Sequence, residues 1–208
     1  MAETTVKSFR LLNVGTGGQG VIRATEILGW AAVNAGIQVR TAETHGMAQR
    51  GGSVLCYMGF GEINGPIFPR GSADVILSFE ELEALRSIDY ANSKTLLLIS
   101  KTRLIPPGLF INKNLKYPTE EEILENLKKV TPHIYLVDAL DIAVKSGEPR
   151  AENVVMLAFL FATGKLPFSR EKLLESILQF VPVKARAANE KAFDLALEEA
   201  MKMMAEKK

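Results

Sequence analysis

One stretch near the start of the chain restricts the fold more than any other. Residues 9–14 form a short apolar run that ends in Gly15-Thr16-Gly17-Gly18-Gln19-Gly20, and Val21, Ala24, Leu28, Ala31 and Ala35 then recur at helical spacing. That order reads as strand, glycine turn and helix. Gly36 stops the helix, residues 37–42 read as a second strand, and together they predict a βαβ unit with its two strands paired in parallel.

Residues 53–60 alternate in strand fashion, and the glycine-rich stretch 59–66 predicts a hairpin whose return arm is Ile67-Phe68. Residues 73–79 form a further apolar strand. It leads into a helix over 80–86 whose acidic first turn, Glu80, Glu81 and Glu83, suits the positive end of the helix dipole. Strands over 95–100 and 133–137 bring the count to five or six, with a Pro106-Pro107-Gly108 turn and an amphipathic helix over 119–130 between them. Beyond residue 138 the pattern is helical: 139–146, 152–163, 169–180 capped by Ser169, and a last helix with Phe193, Leu197, Ala200 and Met204 on one face. The expected class is α/β, a Rossmann-like, largely parallel sheet with an antiparallel hairpin excursion and a helical C-terminal third. Residues 1–208 read as one domain, with an α/β core over about 8–138 and a helical part over about 139–205. The cluster Met201, Met203 and Met204 reads as core packing of one helix face, and the Lys-rich end as a solvated tail.

Composition then excludes several function classes. A formal net charge of +1 gives no clustered basic face, so nucleic acid is not an expected partner. The longest apolar run, residues 154–162, falls well short of the roughly 20 residues a membrane span requires, and a cytoplasmic protein is expected. The single cysteine, Cys56, sits in a strand pattern and reads as a small core residue in a reduced compartment. An iron–sulfur cubane needs about four thiolates, so one cysteine and two histidines leave such a cluster, and any metal site, to another chain.

Gly15, Gly17 and Gly20 satisfy the G-x-G-x-x-G spacing in the context that gives it meaning, between a strand and a helix. Glycine permits the tight turn and close approach of an anion to backbone N–H groups at a helix N-terminus. The alternative is that these glycines only let strand and helix pack closely. Thr16 and Gln19 are the turn's two side chains able to meet a ligand or a neighbouring subunit, while Gly18 leaves it bare. A second loop follows the second strand, and in an open parallel sheet it should converge with the first at the carboxyl edge. Within it Glu43 falls where a ribose-binding acid would stand, His45 is a weak candidate for an acid–base group or an anion donor, and Arg50 could fork onto a phosphate or carboxylate. A structural network or a subunit contact is the competing reading of Glu43, His45 and Arg50.

Gly15–Gly20, the run His45-Gly-Met-Ala-Gln-Arg-Gly-Gly-Ser53, Pro66-Ile-Phe-Pro-Arg-Gly-Ser-Ala-Asp74 and Phe79-Glu80-x-Leu82-Glu-Ala-Leu-Arg86 together resemble the gamma-type domain of 2-oxoacid:ferredoxin oxidoreductases. Within that family the run from His45, and residues 182–189, are similar to the small (beta) subunit of the indolepyruvate type. The resemblance implies a reaction in which a 2-oxoacid is decarboxylated on thiamine diphosphate with Mg. Electrons pass through iron–sulfur clusters to ferredoxin and the acyl group passes to coenzyme A. Thiamine diphosphate, Mg and the clusters are expected on a large alpha subunit, in a heterodimer or a dimer of heterodimers. No stretch here resembles the metal-diphosphate motif of thiamine enzymes. The implied role of this chain is to cover the shared active site and help bind coenzyme A, with Gly15, Thr16, Gly17, Gly18, Gln19, Gly20, Glu43, His45, Gln49 and Arg50 lining it. Two other readings remain at this point: a stand-alone NAD(P)-binding protein, and a non-catalytic nucleotide-sensing or assembly module.

Overall fold

The computed structural model describes residues 8–46, 51–106 and 116–206; Gln49 and Arg50, the Pro107-Gly108 part of the expected turn, and the last two lysines lie outside these. Among the described residues six strands form one mixed sheet: β1 (Phe9–Thr16), β2 (Val39–His45), β3 (Ser53–Phe60), β4 (Val75–Ser78), β5 (Leu96–Ser100) and β6 (Ile134–Val137), in the order β2-β3-β1-β4-β5-β6. Strands β1, β4, β5 and β6 pair in parallel, while β3 runs antiparallel to both β1 and β2. β4 and β5 are buried along their whole length, as strands covered on both faces must be. β2 is at the edge and correspondingly exposed.

Among the described residues seven α-helices flank this sheet. On one face lie α1 (Val21–Asn34), α4 (Ala139–Ser146), α5 (Glu152–Ala162), α6 (Arg170–Phe180) and α7 (Arg186–Glu206). They share a core with Leu11, Met58, Leu77 and Leu98 from the strands, supplied by Ile27 and Leu28 of α1, Phe159 of α5 and Phe193 of α7. On the other face α2 (Glu81–Arg86) and α3 (Glu120–Lys128) contribute Ala84, Ile123 and Leu127 against Leu12, Ile76 and Leu97. The alternation of Leu11 and Leu12 between the two cores is the period-two geometry of a strand. The helical C-terminal third therefore packs straight onto the sheet. Met203 and Met204 rest against this core, while Met201 faces outward.

Two sequence expectations are corrected here. The strands before and after α1 run in the same direction but do not pair, because β3 is inserted between them. Residues 67–68 are not a strand, so the antiparallel excursion is the β2–β3 hairpin and the glycine-rich second loop is its connection. Period and polarity locate strands but do not say which neighbour each one chooses, and β3, apolar enough to be central, took the place beside β1. Gly59 shows the close packing of that strand, since a Cβ there would collide with the side chain of Ile63.

Phe159, fully buried between the sheet and α7, should cost about 3–5 kcal/mol when truncated to Ala. Equilibrium denaturation followed by far-ultraviolet circular dichroism measures this. A loss below about 1 kcal/mol would mean that the helices do not share the core of the sheet.

Candidate functional site

The carboxyl ends of the parallel strands share one edge with the start of antiparallel β3, and the polar groups of the chain gather there. β1 ends at Thr16, whose register partner is Ser53, the first residue of β3. Beyond that pair the ladder continues through the two loops: Gly17 N–H donates to Gly52 O at 2.8 Å, and Gly51 N–H donates to Gly17 O at 3.2 Å. The glycine turn and the exit of the second loop are thus joined directly through backbone.

Gly15 is held to its size by packing, since a Cβ there would come within 2.7 Å of Val21 and 3.1 Å of Phe79. Gly20 caps α1 with φ 81°, in the left-handed region where glycine carries no Cβ penalty. Among the described residues no side chain caps α1, and the N–H groups of Val21, Ile22 and Arg23 have no partner within the helix. Gln19 takes a different job from capping. Its Oε1 accepts from Thr16 N–H at 2.8 Å and from Thr16 Oγ1 at 3.1 Å, and its Nε2 donates to Phe79 O at 2.6 Å, where β4 ends. A cavity of about 360 Å³ lies on one flank of the turn, lined by Gly17, Gly20, Arg23, Glu26 and Val54. Another of about 310 Å³ lies on the other, lined by Gly18, Gln19, Ser100, Arg150 and Glu152.

Glu43 and His45 are on β2, two strand spacings from β1, or roughly 10 Å between backbones. His45 is exposed and level with Gly15 across Val54, its Nδ1 lying 3.2 Å from Gly46 O. Glu43 lines a separate groove of about 580 Å³ between α1 and β2, floored by Thr25, Trp30 and Phe180. It stands level with Cys56 and Asn13. Burial pushes the Cys56 thiol up to about 11, and the charge of Glu43 adds to the effect, so this cysteine is an unreactive core residue. Of the predicted site residues, the structure brings Gly15 to Gly20 together with Gly51 and Gly52 and leaves Glu43 apart from them. Gln49 and Arg50 lie outside the described residues.

Sequence reasoning missed the junction between β4 and α2. Glu80, Glu81 and Glu83, which the sequence offered only as an acidic first turn suited to the helix dipole, are each about 1% exposed. Glu80 caps α2 by accepting from Glu83 N–H at 2.9 Å, and its other oxygen accepts from Leu104 N–H at 3.2 Å and from the Tyr117 hydroxyl. Glu81 pairs with Arg103 at 2.6 Å, but its Oε1 has no partner among the described residues. Glu83 accepts from Ser53 Oγ at 2.5 Å and from Arg86 at 2.6 Å. Burial raises the pKa of Glu81 against the opposing pull of Arg103, and burial followed by the Glu80 carboxylate raises that of Tyr117. The one available signal was position, since three acids immediately follow an apolar strand at the carboxyl edge of the sheet.

A profile of the pyruvate ferredoxin/flavodoxin oxidoreductase family matches residues 10–199. This chain belongs to that family. Among family relatives, the indolepyruvate oxidoreductase subunit IorB of Archaeoglobus fulgidus is 40% identical over 193 residues, covering 93% of this chain and 96% of that protein. IorB of Pyrococcus horikoshii is 41% identical over 201 residues, covering 96% of this chain and 99% of that protein. The fold recurs in a 2-oxoglutarate:ferredoxin oxidoreductase from Magnetococcus marinus, solved with 2-oxoglutarate, coenzyme A and succinyl-CoA bound. That likeness has a TM-score of 0.69 at 19% identity, over 95% of this chain and 32% of that one. No helix among the described residues is long and apolar enough to cross a membrane.

Glu81 gives a pH signature. Its folded pKa lies above its ordinary 4.5, so its contribution to stability is fully present below 4.5 and is lost as the pH rises through the raised value. In Glu81→Gln that loss is absent. Between pH 4.5 and 7 the melting temperature of the variant should therefore rise relative to that of the wild type as the pH increases, and parallel curves would contradict the assignment.

Proposed function

We propose that this chain is the small subunit of an indolepyruvate-type 2-oxoacid:ferredoxin oxidoreductase, one gamma-type domain throughout, working in the cytoplasm with a large alpha subunit and, through it, ferredoxin. The observation that carries the reading is near-full-length similarity to two IorB subunits at 40% and 41% identity. Thiamine diphosphate with Mg and the iron–sulfur clusters, held by the large subunit, supply carbon–carbon bond cleavage and electron transfer when bound. This chain's donors fit that division. It has one cysteine, and among the described residues no three His, Cys, Asp or Glu side chains are grouped to hold a metal.

The role of this chain is to cover the shared site with the carboxyl edge of its sheet. Excluding water there would shield the chemistry that the large subunit's cofactors supply from hydrolysis and stray proton transfer. The unpartnered N–H groups at the start of α1 suit the anionic part of coenzyme A, which brings the acyl acceptor to the site. The occurrence of this fold in an enzyme solved with coenzyme A bound supports that assignment. Gln49 and Arg50, on the loop that leaves β2, complete the proposed lining, and His45 is assigned positioning before proton transfer. A stand-alone dinucleotide enzyme is less well supported, because the inserted β3 moves Glu43 away from the glycine turn.

The test is an anaerobic assay of indolepyruvate- and coenzyme A-dependent viologen reduction with each subunit omitted in turn. Turnover should need both chains. Saturable NAD(P) binding by the small chain alone, with no association with the large one, would overturn the proposal. Arg50→Ala should leave the chain folded and lower coupled turnover by about tenfold or more, and unchanged turnover removes Arg50 from the lining.

A further inference from the structure

Gln19 stands beside the start of α1, where a side-chain oxygen could cap the helix, yet it leaves the helix uncapped. Its whole amide is turned the other way, onto Thr16 of β1 and Phe79 O of β4. The second loop is fastened in the same region. Ser53, register partner of Thr16, donates to Glu83 Oε2 at 2.5 Å, and Gly52 beside it receives Gly17 N–H at 2.8 Å. Glu83 is 1% exposed, and Arg86 holds its second oxygen at 2.6 Å, so the carboxylate cannot turn away from Ser53 without leaving a buried charge unpaired. Two tethers, one per loop, thus end on the same short junction, Phe79 to Glu83. They hold the turn from the sheet side.

We propose that Gln19 and the Ser53–Glu83 pair are positioning residues that fix the glycine turn and the second-loop exit as one rigid rim, with Gln19 holding the rim and touching no substrate. This rests on the reading of the carboxyl edge as the cover of the shared site. It reassigns Gln19, and it adds Glu83 and Ser53 to the functional residues. A rim held by two tethers to one junction predicts that loss of either loosens both loops, so that the two losses do not add.

The experiment uses the full-length small chain, alone and in complex with the large subunit, in Gln19→Leu, Ser53→Ala, the double variant, and Ser53→Thr, which keeps the hydroxyl. Leu173→Ala, in the buried face of α6 away from this edge, serves as a control for general destabilisation. Amide hydrogen exchange on the chain alone should accelerate at residues 17–23 in both tether variants and not in the control. In the complex, KM for coenzyme A should rise about tenfold in each, with the double variant little worse, kcat less affected, and Ser53→Thr close to wild type. Unchanged exchange at 17–23 overturns the rim whatever the chain does in the complex. Faster exchange with a KM no higher than that of the control overturns its role in positioning. If wild-type turnover does not require the small chain, the cover reading fails, and this inference fails with it even though the tethers stand.

Discussion

Strand β1 has its two edges satisfied by partners of opposite direction, β3 antiparallel and β4 parallel, and the geometry of the carboxyl edge follows from that. Because β3 runs backwards, its first residue meets the last residue of β1, and the loop before β3 is carried to the glycine turn. Had β2 paired with β1, as in a simple βαβ unit, the second loop would leave the sheet beside the turn and Glu43 would stand close to it. The insertion moves Glu43 outward into the α1–β2 groove and puts Gly51 and Gly52 in its place. The edge therefore presents backbone and glycine where a dinucleotide enzyme of this motif presents an acid.

A second constraint is electrostatic. Three buried carboxylates in one helical turn are expensive to desolvate, and ion pairs with Arg86 and Arg103 do not normally make such an arrangement more stable than an apolar one. Each acid is nevertheless employed. Glu80 fastens Leu104 and Tyr117, Glu81 fastens Arg103, and Glu83 fastens Ser53. Buried ionisable groups gathered at the carboxyl edge of an α/β sheet belong with function more often than with stability. Here they hold the ends of loops whose placement matters to whatever the edge faces.

Much of the fold was legible in the sequence because local signals agreed. The run before Gly15 and the spacing of Ala24, Leu28 and Ala31 specify β1 and α1. Thr119 with Glu122 forms the capping box that opens α3, and Ser169 caps α6 by accepting from Lys172 N–H. Strand pairing was not legible, since a period of two carries no information about neighbours: residues 67–68 looked as strand-like as 53–60. At the site, the glycines were found because their spacing has a backbone reason. Glu80, Glu81 and Glu83 were legible only as an acidic first turn, because Glu is rarely buried, and only the fold shows Ser53, Leu104 and Arg103 brought to them from distant sequence. Gln19 was found in the turn, but its attachment to Thr16 and to Phe79 O is a contact that no sequence pattern encodes.

The central claim is that the carboxyl edge of this sheet is the face turned toward a large catalytic subunit. Hydrogen–deuterium exchange of the small chain, with and without that subunit, reads this directly. Slowed exchange on complex formation at residues 15–23, 51–54 and 102–104 is the predicted result. Slowing confined to the opposite edge, around Phe9, Val39 and Phe60, with none at the glycine turn, would contradict it.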